Sequence, residues 1–341
     1  MCAKVAPAIK STGKYDDMKN SNVKTSRRPT ILVTEHIASE IGEHLRTLAP
    51  AHDLQVLTSD LGDADLAAID IAFFSTDSHP VSTAAYIDAC TKAPNLRWFH
   101  TMSAGVDHPV FRSFVDRGVE LTTSSGANAG PIAQMVFAYL LTHAKRLRTI
   151  FEDQRLHRWD PTENLDLEGQ SLLVVGMGPI GERVARLGLA FGMDVTGVRR
   201  TPAATDPCPT FPLAELAERV GTADVIVVAF PLTPDTNGII SAQIISSMKS
   251  NAFFVNVGRG DLVDEAALIR ALESGALGGA GLDVFHKEPL PADSPFWDLP
   301  NVTLTPHNSA NTPTIASRVV EIFCDNLARH IAGTTKRNLR D

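Results

Sequence analysis

The chain has 341 residues, a formal net charge of −8 at pH 7 and a sequence pI near 5.8. Apolar residues make up 44% of it, which is enough for sizeable cores, and its length suggests two domains. The acidic balance gives no nucleic-acid footprint, and the lack of a run of about 20 apolar residues argues against a membrane span. Four scattered cysteines without paired spacing are typical of reduced thiols in a cytoplasmic protein.

The first part of the chain is predicted to form an α/β unit. Residues 1–28 are polar, lysine-rich and without apolar periodicity, which predicts a disordered leader rather than a targeting signal. Strands are then predicted at 31–33, 54–57, 69–74, 96–100 and 119–122, with helices at 37–48 and 82–92. This alternation indicates a parallel sheet with helices on both faces. The unit has no GxGxxG motif, so we predict that it forms the substrate-binding domain rather than the cofactor-binding domain.

The stretch 170–202 carries the glycine motif around which the rest is organised. An apolar strand is followed by Gly176, Gly178, Pro179, Ile180 and Gly181, then by a helix and a second strand at 194–198. Gly176 permits the tight turn, Gly178 lets the backbone approach a pyrophosphate, and Gly181 lets helix and strand pack closely. The helix N-terminus offers free N–H groups to a phosphate. This unit predicts dinucleotide binding.

The end of the second strand suggests which dinucleotide is bound. NAD-binding folds usually place an acidic residue there, on the ribose hydroxyls, but this chain has Arg199, Arg200 and Thr201. Arginine cannot accept a hydrogen bond from a hydroxyl, but it pairs well with a 2′-phosphate. We therefore predict a preference for NADP, with NAD as a second usable cofactor. The alternative is that both arginines are solvated surface residues.

The remaining pattern predicts the domain organisation. A long connector helix is expected over 132–147 and a surface loop over 155–168; strands at 224–229, 252–257, 281–285 and 302–305 then alternate with helices at 213–218, 241–248 and 264–274. A final helix over 312–332 leads back to the first unit. The predicted fold has two doubly wound parallel-sheet domains, a Rossmann cofactor domain (129–310) inserted into a flavodoxin-like substrate domain (29–128 and 311–341).

Three charged side chains follow the strands of the second unit, where a doubly wound sheet lines its ligand crevice: Arg259, Glu288 and His307. Reduction of a 2-keto acid needs a cation for the carboxylate and a proton donor for the keto oxygen. A glutamate bonded to one ring nitrogen would orient the histidine and favour the imidazolium. Taken singly, the three could be a surface ion pair, a turn residue and a residue that satisfies local backbone. Behind a dinucleotide motif they indicate an active site without a metal.

These motifs resemble the D-isomer-specific 2-hydroxyacid dehydrogenase family over residues 30–335. The matching segments are 103–107, 176–181, 257–260, 281–285, 288–289 and 301–307. The resemblance implies that Arg259 holds the substrate and that His307 donates the proton, with Glu288 behind it. It also implies that the backbone N–H groups of Ala104 and Gly105 bind the substrate carboxylate.

The resemblance also implies the cofactor contacts and the assembly. The Val257 carbonyl and Asp283 are expected at the nicotinamide carboxamide. Further cofactor contacts are expected from Pro231, Thr236, Gly258, Arg259, His307 and Ala310. Family members are usually homodimers, joined through the cofactor domains and the connector helix. Arg199, Gln134 and Ser309 depart from the usual family residues. The last two leave the three charged residues intact but alter the shape expected for the pocket, so they affect the identity of the substrate more than the mechanism.

The main prediction is an NADP-linked reductase of a small or aromatic 2-keto acid, such as glyoxylate, hydroxypyruvate or a phenylpyruvate, in the NADP-preferring glyoxylate/hydroxypyruvate reductase-like branch. The alternative is a non-catalytic, cofactor-sensing binding module of the kind found in related transcriptional co-repressors. Such modules can retain the three charged residues, so turnover of a 2-keto acid distinguishes the two.

Overall fold

The computed structural model describes residues 28–106 and 108–340, which form two α/β units. The predicted leader therefore lies outside the described residues, except for Arg28. The first unit contains β1 (Thr30–Val33), α1 (Glu35–Leu48), β2 (Asp53–Val56), α2 (Asp63–Ala68), β3 (Ile69–Phe74), α3 (Thr83–Lys92), β4 (Trp98–Thr101), α4 (Pro109–Asp116) and β5 (Glu120–Thr123). It is completed from the C-terminal end by α11 (Ile315–Ile331) and β13 (Leu339–Arg340).

The first sheet has the strand order β13-β5-β4-β3-β1-β2. Its five predicted strands are confirmed and are parallel, whereas β13 adds an antiparallel edge that the sequence did not predict. The chain runs from β1 outward to β2 and then to the other side of β1, as in a doubly wound fold. Helix α11 returns to this unit as predicted, and Phe323 stacks on Phe73 with ring centroids 4.1 Å apart.

A buried histidine links two strands of the first sheet. His100 on β4 is fully buried, and its ring nitrogens lie 2.8 Å from Thr122 Oγ1 and 3.0 Å from Ser124 Oγ. Burial lowers the pKa of His100 to about 3, so the ring is neutral at pH 7. Two hydroxyl partners satisfy both nitrogens of a neutral imidazole. His100 therefore stabilises the sheet and takes no part in the proposed chemistry.

The second unit contains α5 (Ala129–Ala144), α6 (Leu147–Arg155), β6 (Ser171–Val175), α7 (Pro179–Ala190), β7 (Asp194–Arg199), β8 (Thr210–Pro212), α8 (Leu216–Val220), β9 (Val225–Val228), α9 (Ala242–Ser246), β10 (Phe253–Asn256), α10 (Glu265–Glu273), β11 (Gly279–Leu282) and β12 (Val302–Leu304). Its sheet is wholly parallel, with the order β12-β11-β10-β9-β6-β7-β8. Buried apolar clusters cover both faces. The fold class is thus the predicted one, while the domain bounds given above stay a prediction.

The connector between the units is two helices rather than the single helix predicted over 132–147. Helix α5 ends at Ala144, and Arg146 adopts a left-handed conformation with φ 51° before α6 begins. A β-carbon on Gly281 of β11 would lie 2.4 Å from Tyr139 Cγ on α5, so this glycine lets the helix pack directly on the sheet. Helix α5 is thereby fixed behind the strands whose ends carry the site.

The strand ends of the second sheet bring the predicted site residues to one edge. Pro231 follows β9, Arg259 follows β10, Glu288 follows β11 and His307 follows β12. Carboxyl ends of parallel strands lie along the same edge of a sheet, which is where doubly wound folds bind ligands. Across residues 28–106 and 108–340, no helix combines the length and apolar character needed to span a bilayer.

Candidate active site

The glycine turn leaves an open helix N-terminus. Gly176 has φ 109°, and a β-carbon there would lie 2.8 Å from the Ala229 carbonyl carbon. A β-carbon on Gly181 would lie 1.9 Å from the Gly176 oxygen, so both positions require glycine. Gly178 is the N-cap of α7, is exposed and has no atom within 4 Å of a β-carbon built there. The space in front of the helix is therefore free for a phosphate.

A cavity of about 450 Å³ extends from this turn to the end of β7. It is lined by Gly176, Gly178, Arg199, Arg200, Thr201, Pro231 and Thr236, among others. The Thr236 hydroxyl donates to the Pro231 carbonyl at 2.8 Å and so fixes the loop after β9. Gly176 and Gly178 of the glycine motif thus share one cavity with the arginine pair and this loop, whereas Pro179 and Ile180 line the neighbouring cleft. Its shape and cations fit a phosphorylated dinucleotide.

The two arginines differ in their surroundings. The Arg199 guanidinium is hydrogen-bonded to Asp206, whose side-chain exposure is only 2%. Arg200 is 77% exposed, and its one ion pair with a described residue is a 4.0 Å contact with Asp235. Because Asp206 offsets the charge of Arg199 and holds its side chain in place, Arg200 is the more available cation for a phosphate. The sequence did not indicate the Arg199–Asp206 pair.

Arg259 lies in a loop whose backbone is held by hydrogen bonds to the Asn256 side chain. Asn256 accepts from the Gly258 N–H at 3.0 Å and donates to the Arg259 carbonyl at 2.9 Å. A β-carbon on Gly260 would lie 2.0 Å from the Phe285 carbonyl carbon. The loop after β10 therefore packs directly on the loop that leads to Glu288.

A cleft of about 230 Å³ contains the predicted carboxylate site. It is lined by Ala104, Gly105, Gly178, Ile180, Val257, Gly258 and Arg259, among others. Ala104 and Gly105 come from the first unit, whereas Arg259 comes from the second. The structure thus brings the predicted carboxylate-binding backbone and the predicted substrate cation to one cleft between the units.

Glu288 and His307 form a direct pair. His307 Nδ1 lies 2.7 Å from Glu288 Oε2, and Glu288 Oε1 accepts from the Phe285 N–H at 3.0 Å. The side chains of His307 and Glu288 are 46% and 36% exposed. Among the described residues no hydrogen bond reaches His307 Nε2. The pair therefore has one ring nitrogen held by a carboxylate and the other open to a ligand.

Asp283 holds the loop that carries His307. The residue is 1% exposed, and its carboxylate accepts from the Thr305 hydroxyl at 2.5 Å, the Asn308 N–H at 3.1 Å and the Ser309 hydroxyl at 2.5 Å. The Asp283 carbonyl accepts from the His307 N–H at 2.9 Å. These bonds keep His307 at φ 50°, a left-handed conformation that non-glycine residues rarely adopt.

The sequence did not predict the hydrogen bonds that Tyr139 and Ser309 form in this loop. Tyr139 is hydrogen-bonded to Thr305, and burial raises the pKa of Tyr139, so its hydroxyl remains protonated. Ser309, which stands where the resemblance has glycine, donates to Asp283. The serine at position 309, where the family usually has glycine, was the one feature of the sequence that pointed to an additional contact in this loop. Asp283 was predicted to meet the nicotinamide; its oxygens accept protein donors here, and the cofactor contact stays a prediction. Ala310, the last predicted cofactor residue, is partly buried against the core of the second unit.

Comparison with known proteins identifies the family. The model of the D-isomer specific 2-hydroxyacid dehydrogenase NAD binding domain matches residues 137–309. Glyoxylate/hydroxypyruvate reductase B of Serratia proteamaculans is 31% identical over 318 residues, covering 91% of this chain and 97% of that protein. The chain belongs to the D-isomer specific 2-hydroxyacid dehydrogenase family. It is an NAD(P)-dependent oxidoreductase, as the resemblance predicted.

Solved structures of this dehydrogenase family have the same fold. A family member from Aeromonas salmonicida superposes with a TM-score of 0.76 at 32% identity, covering 92% of this chain and 99% of that one. The NADPH-dependent glyoxylate/hydroxypyruvate reductase of Sinorhizobium meliloti, in complex with NADP and sulfate, gives a TM-score of 0.73 at 29% identity, covering 92% and 98%. The two-unit architecture described above is therefore that of the dehydrogenase family.

Proposed function

We propose that this dehydrogenase reduces small 2-keto acids, glyoxylate and hydroxypyruvate in particular, to D-2-hydroxy acids with NADPH. The observation that carries the proposal is the Glu288–His307 pair at 2.7 Å, where the loop that leads to Glu288 packs on the Arg259 loop. The names of the Serratia and Sinorhizobium relatives support the choice of substrates. The proposed roles of the individual residues follow from their positions.

In the proposed reaction Arg259 binds the substrate carboxylate through its planar pair of N–H donors, together with the Ala104 and Gly105 backbone. When bound, the reduced dinucleotide supplies the hydride for the keto carbon. His307 Nε2 holds the proton that the keto oxygen takes up. Glu288 on Nδ1 fixes the ring and stabilises its protonated form, and the Phe285 N–H fixes Glu288.

An apolar cavity beside the pair extends the range of proposed substrates. It has a volume of about 610 Å³ and is lined by Phe285, Leu290, Trp297 and Leu304 as well as by Glu288 and His307. Apolar walls with a few polar groups are typical of pockets that accept small organic ligands. This cavity supports a phenylpyruvate as a further substrate.

The test of the function is a comparison of both cofactors with glyoxylate, hydroxypyruvate and phenylpyruvate. We expect kcat/KM to be at least about tenfold higher with NADPH than with NADH, because a charge-assisted hydrogen bond contributes about 1.5–3 kcal/mol.

Variants of the two arginines test which side chain selects the cofactor. Arg200→Ala should lower kcat/KM for NADPH about tenfold and leave kcat/KM for NADH unchanged. Arg199→Asp should shift the preference towards NAD. Equal kcat/KM values for NADPH and NADH in the wild type, or equal losses with both cofactors in the Arg200 variant, would contradict selectivity for NADP. Absence of turnover with all three keto acids would contradict the proposed function.

We further propose that two copies of the chain associate through the segment after α5. Five large apolar side chains there are 39–96% exposed: Ile150, Phe151, Leu156, Trp159 and Leu165. Several large exposed apolar side chains within one segment favour an interface with another protein chain. The homodimer and the cytoplasmic location both stay predictions.

Light scattering should measure a mass about twice the 36.7 kDa of one chain. The double variant Phe151→Ser, Trp159→Ser should shift the mass towards the monomer, because it makes the exposed apolar surface polar. Val81→Ser, which changes a side chain 94% exposed on the first unit, is the matched control and should leave the mass unchanged. A monomeric wild-type protein would contradict the proposal.

A further inference from the structure

A second basic cavity lies between the two units, next to the catalytic cleft. This hinge pocket has a volume of about 370 Å³, and its lining includes Ser125, Gly126, Arg183, Arg318, Glu321 and Arg337. Arg183 belongs to α7 of the second unit. Arg318 and Glu321 belong to α11, and Arg337 precedes β13, so these three belong to the first unit. Side chains from both units therefore face one cavity.

The arginine side chains that line the hinge pocket outnumber the carboxylates near them that could offset their charge. Within residues 28–106 and 108–340, neither Arg183 nor Arg318 forms an ion pair. Arg337 lies 3.3 Å from Asp325, but Asp325 is shared with Arg329 at 3.0 Å. Three guanidinium groups thus face a lining with one carboxylate, Glu321.

The guanidinium group of Arg318 has a buried donor without an acceptor among the described residues. Nη1 of Arg318 is buried and has no hydrogen-bond partner among the described residues. A buried donor without an acceptor is costly, and more so when the group is charged. Because Arg318 lines the pocket, an oxyanion bound there would offset the local positive charge, and a turn of the side chain towards the ligand would give this N–H an acceptor.

The chemistry of the lining selects the class of ligand. Planar guanidinium groups pair with the oxygens of phosphate in two-point contacts. The volume lies in the range of about 300–1,000 Å³ that is usual for small-molecule sites, so it admits a phosphate with a small organic group. We propose that the hinge pocket binds a phosphate group, as inorganic phosphate or a small phosphate monoester, and that this ligand links the two units.

The site is placed to influence the catalytic cleft. Ser125 and Gly126, on the segment between β5 and α5, line both the hinge pocket and the cleft that contains Arg259. A ligand that contacts Arg183 on one unit and Arg318 on the other is bound best by one relative arrangement of the units. By linkage it favours that arrangement and stabilises the folded protein.

The test is calorimetric titration of inorganic phosphate and of glycerol 3-phosphate into the NADPH-saturated full chain, with sodium chloride at matched ionic strength as the reference. Saturating NADPH occupies the cofactor phosphate sites, and the variants below separate binding in the hinge pocket from binding at the Arg259 substrate site. We expect one saturable site per chain and a raised melting temperature. Tighter binding of the monoester would identify an organic phosphate as the ligand, and equal binding would identify inorganic phosphate.

Variants decide whether the site is the hinge pocket. Arg318→Gln and Arg183→Gln should each weaken phosphate binding about tenfold or more, with NADPH affinity unchanged, because each removes a charge-assisted donor. Arg186→Gln, at an exposed position one turn away on α7, is the matched control and should bind phosphate like the wild type. Arg183 is exposed, so its variant reports binding even if Arg318→Gln does not fold. Unaltered binding in the Arg183 variant, or no saturable binding to the wild type, would overturn the proposal.

Discussion

Replacing His307 by alanine should lower kcat by about 10²–10⁴-fold, the usual contribution of general acid–base catalysis, while the Kd for NADPH stays nearly unchanged. The imidazole is the proton donor in the proposed reaction, and the proton is needed only as the keto oxygen becomes a hydroxyl. The loop around residue 307 should survive the substitution, because Asp283 holds it through the Thr305 and Ser309 side chains and through backbone N–H groups. Stopped-flow turnover and fluorescence titration of NADPH measure the two quantities separately.

The chain provides a matched control for the catalytic pair. His36 and Glu40 on α1 form another exposed histidine–glutamate contact, at 3.4 Å, and His36→Ala should leave kcat unchanged. Glu288→Gln should give a smaller loss than His307→Ala, because glutamine can still orient the ring but lacks the negative charge. If His307→Ala weakened NADPH binding as much as it lowered kcat, the residue would be structural and the assignment would be wrong.

Arg259→Ala should lower kcat/KM for glyoxylate about 100-fold or more, with a raised KM and a lowered kcat. The estimate follows from the loss of a two-point, charge-assisted contact at about 1.5–3 kcal/mol per hydrogen bond. Arg259→Lys should recover only part of the activity, because an ammonium group keeps the charge but lacks the planar fork. Steady-state kinetics over a range of keto acid concentrations separates KM from kcat.

A second arginine on the same unit serves as the control for Arg259. Arg270 lies on α10, shortly after the Arg259 loop, and is exposed. Arg270→Ala should leave the kinetics with glyoxylate unchanged. Unchanged kinetics in Arg259→Ala would remove this residue from the mechanism.

The glycine turn and the strand ends could be predicted because their requirements are local. Gly176 and Gly181 stand within one βαβ unit, and the steric contacts that exclude a side chain at each come from the turn itself or the neighbouring strand end. Glu288 and His307 are 19 positions apart, yet both follow adjacent parallel strands, so the pairing of β11 with β12 brings them together. Regular topology was therefore enough to predict this pair.

The remaining details depend on contacts that leave no pattern in the chain. The bond from Ser309 to Asp283 requires the loops after β11 and β12 to meet at hydrogen-bonding distance. The Arg199–Asp206 pair is set by the fold of a short loop without periodicity. β13 is two residues long and pairs with β5, which is far from it in the sequence. Tertiary packing, rather than local propensity, decides such features.

The convergence of Arg259 and His307 on one 2-keto acid molecule is tested most directly by a crystal structure with NADPH and oxamate, an unreactive amide analogue of a 2-keto acid. We expect His307 Nε2 about 2.6–3.2 Å from the oxygen that replaces the keto oxygen, the Arg259 guanidinium on the carboxylate, and the nicotinamide ring beside the amide carbon. Oxamate bound away from His307, or Arg259 turned out of the cleft that contains the nicotinamide, would contradict this expectation.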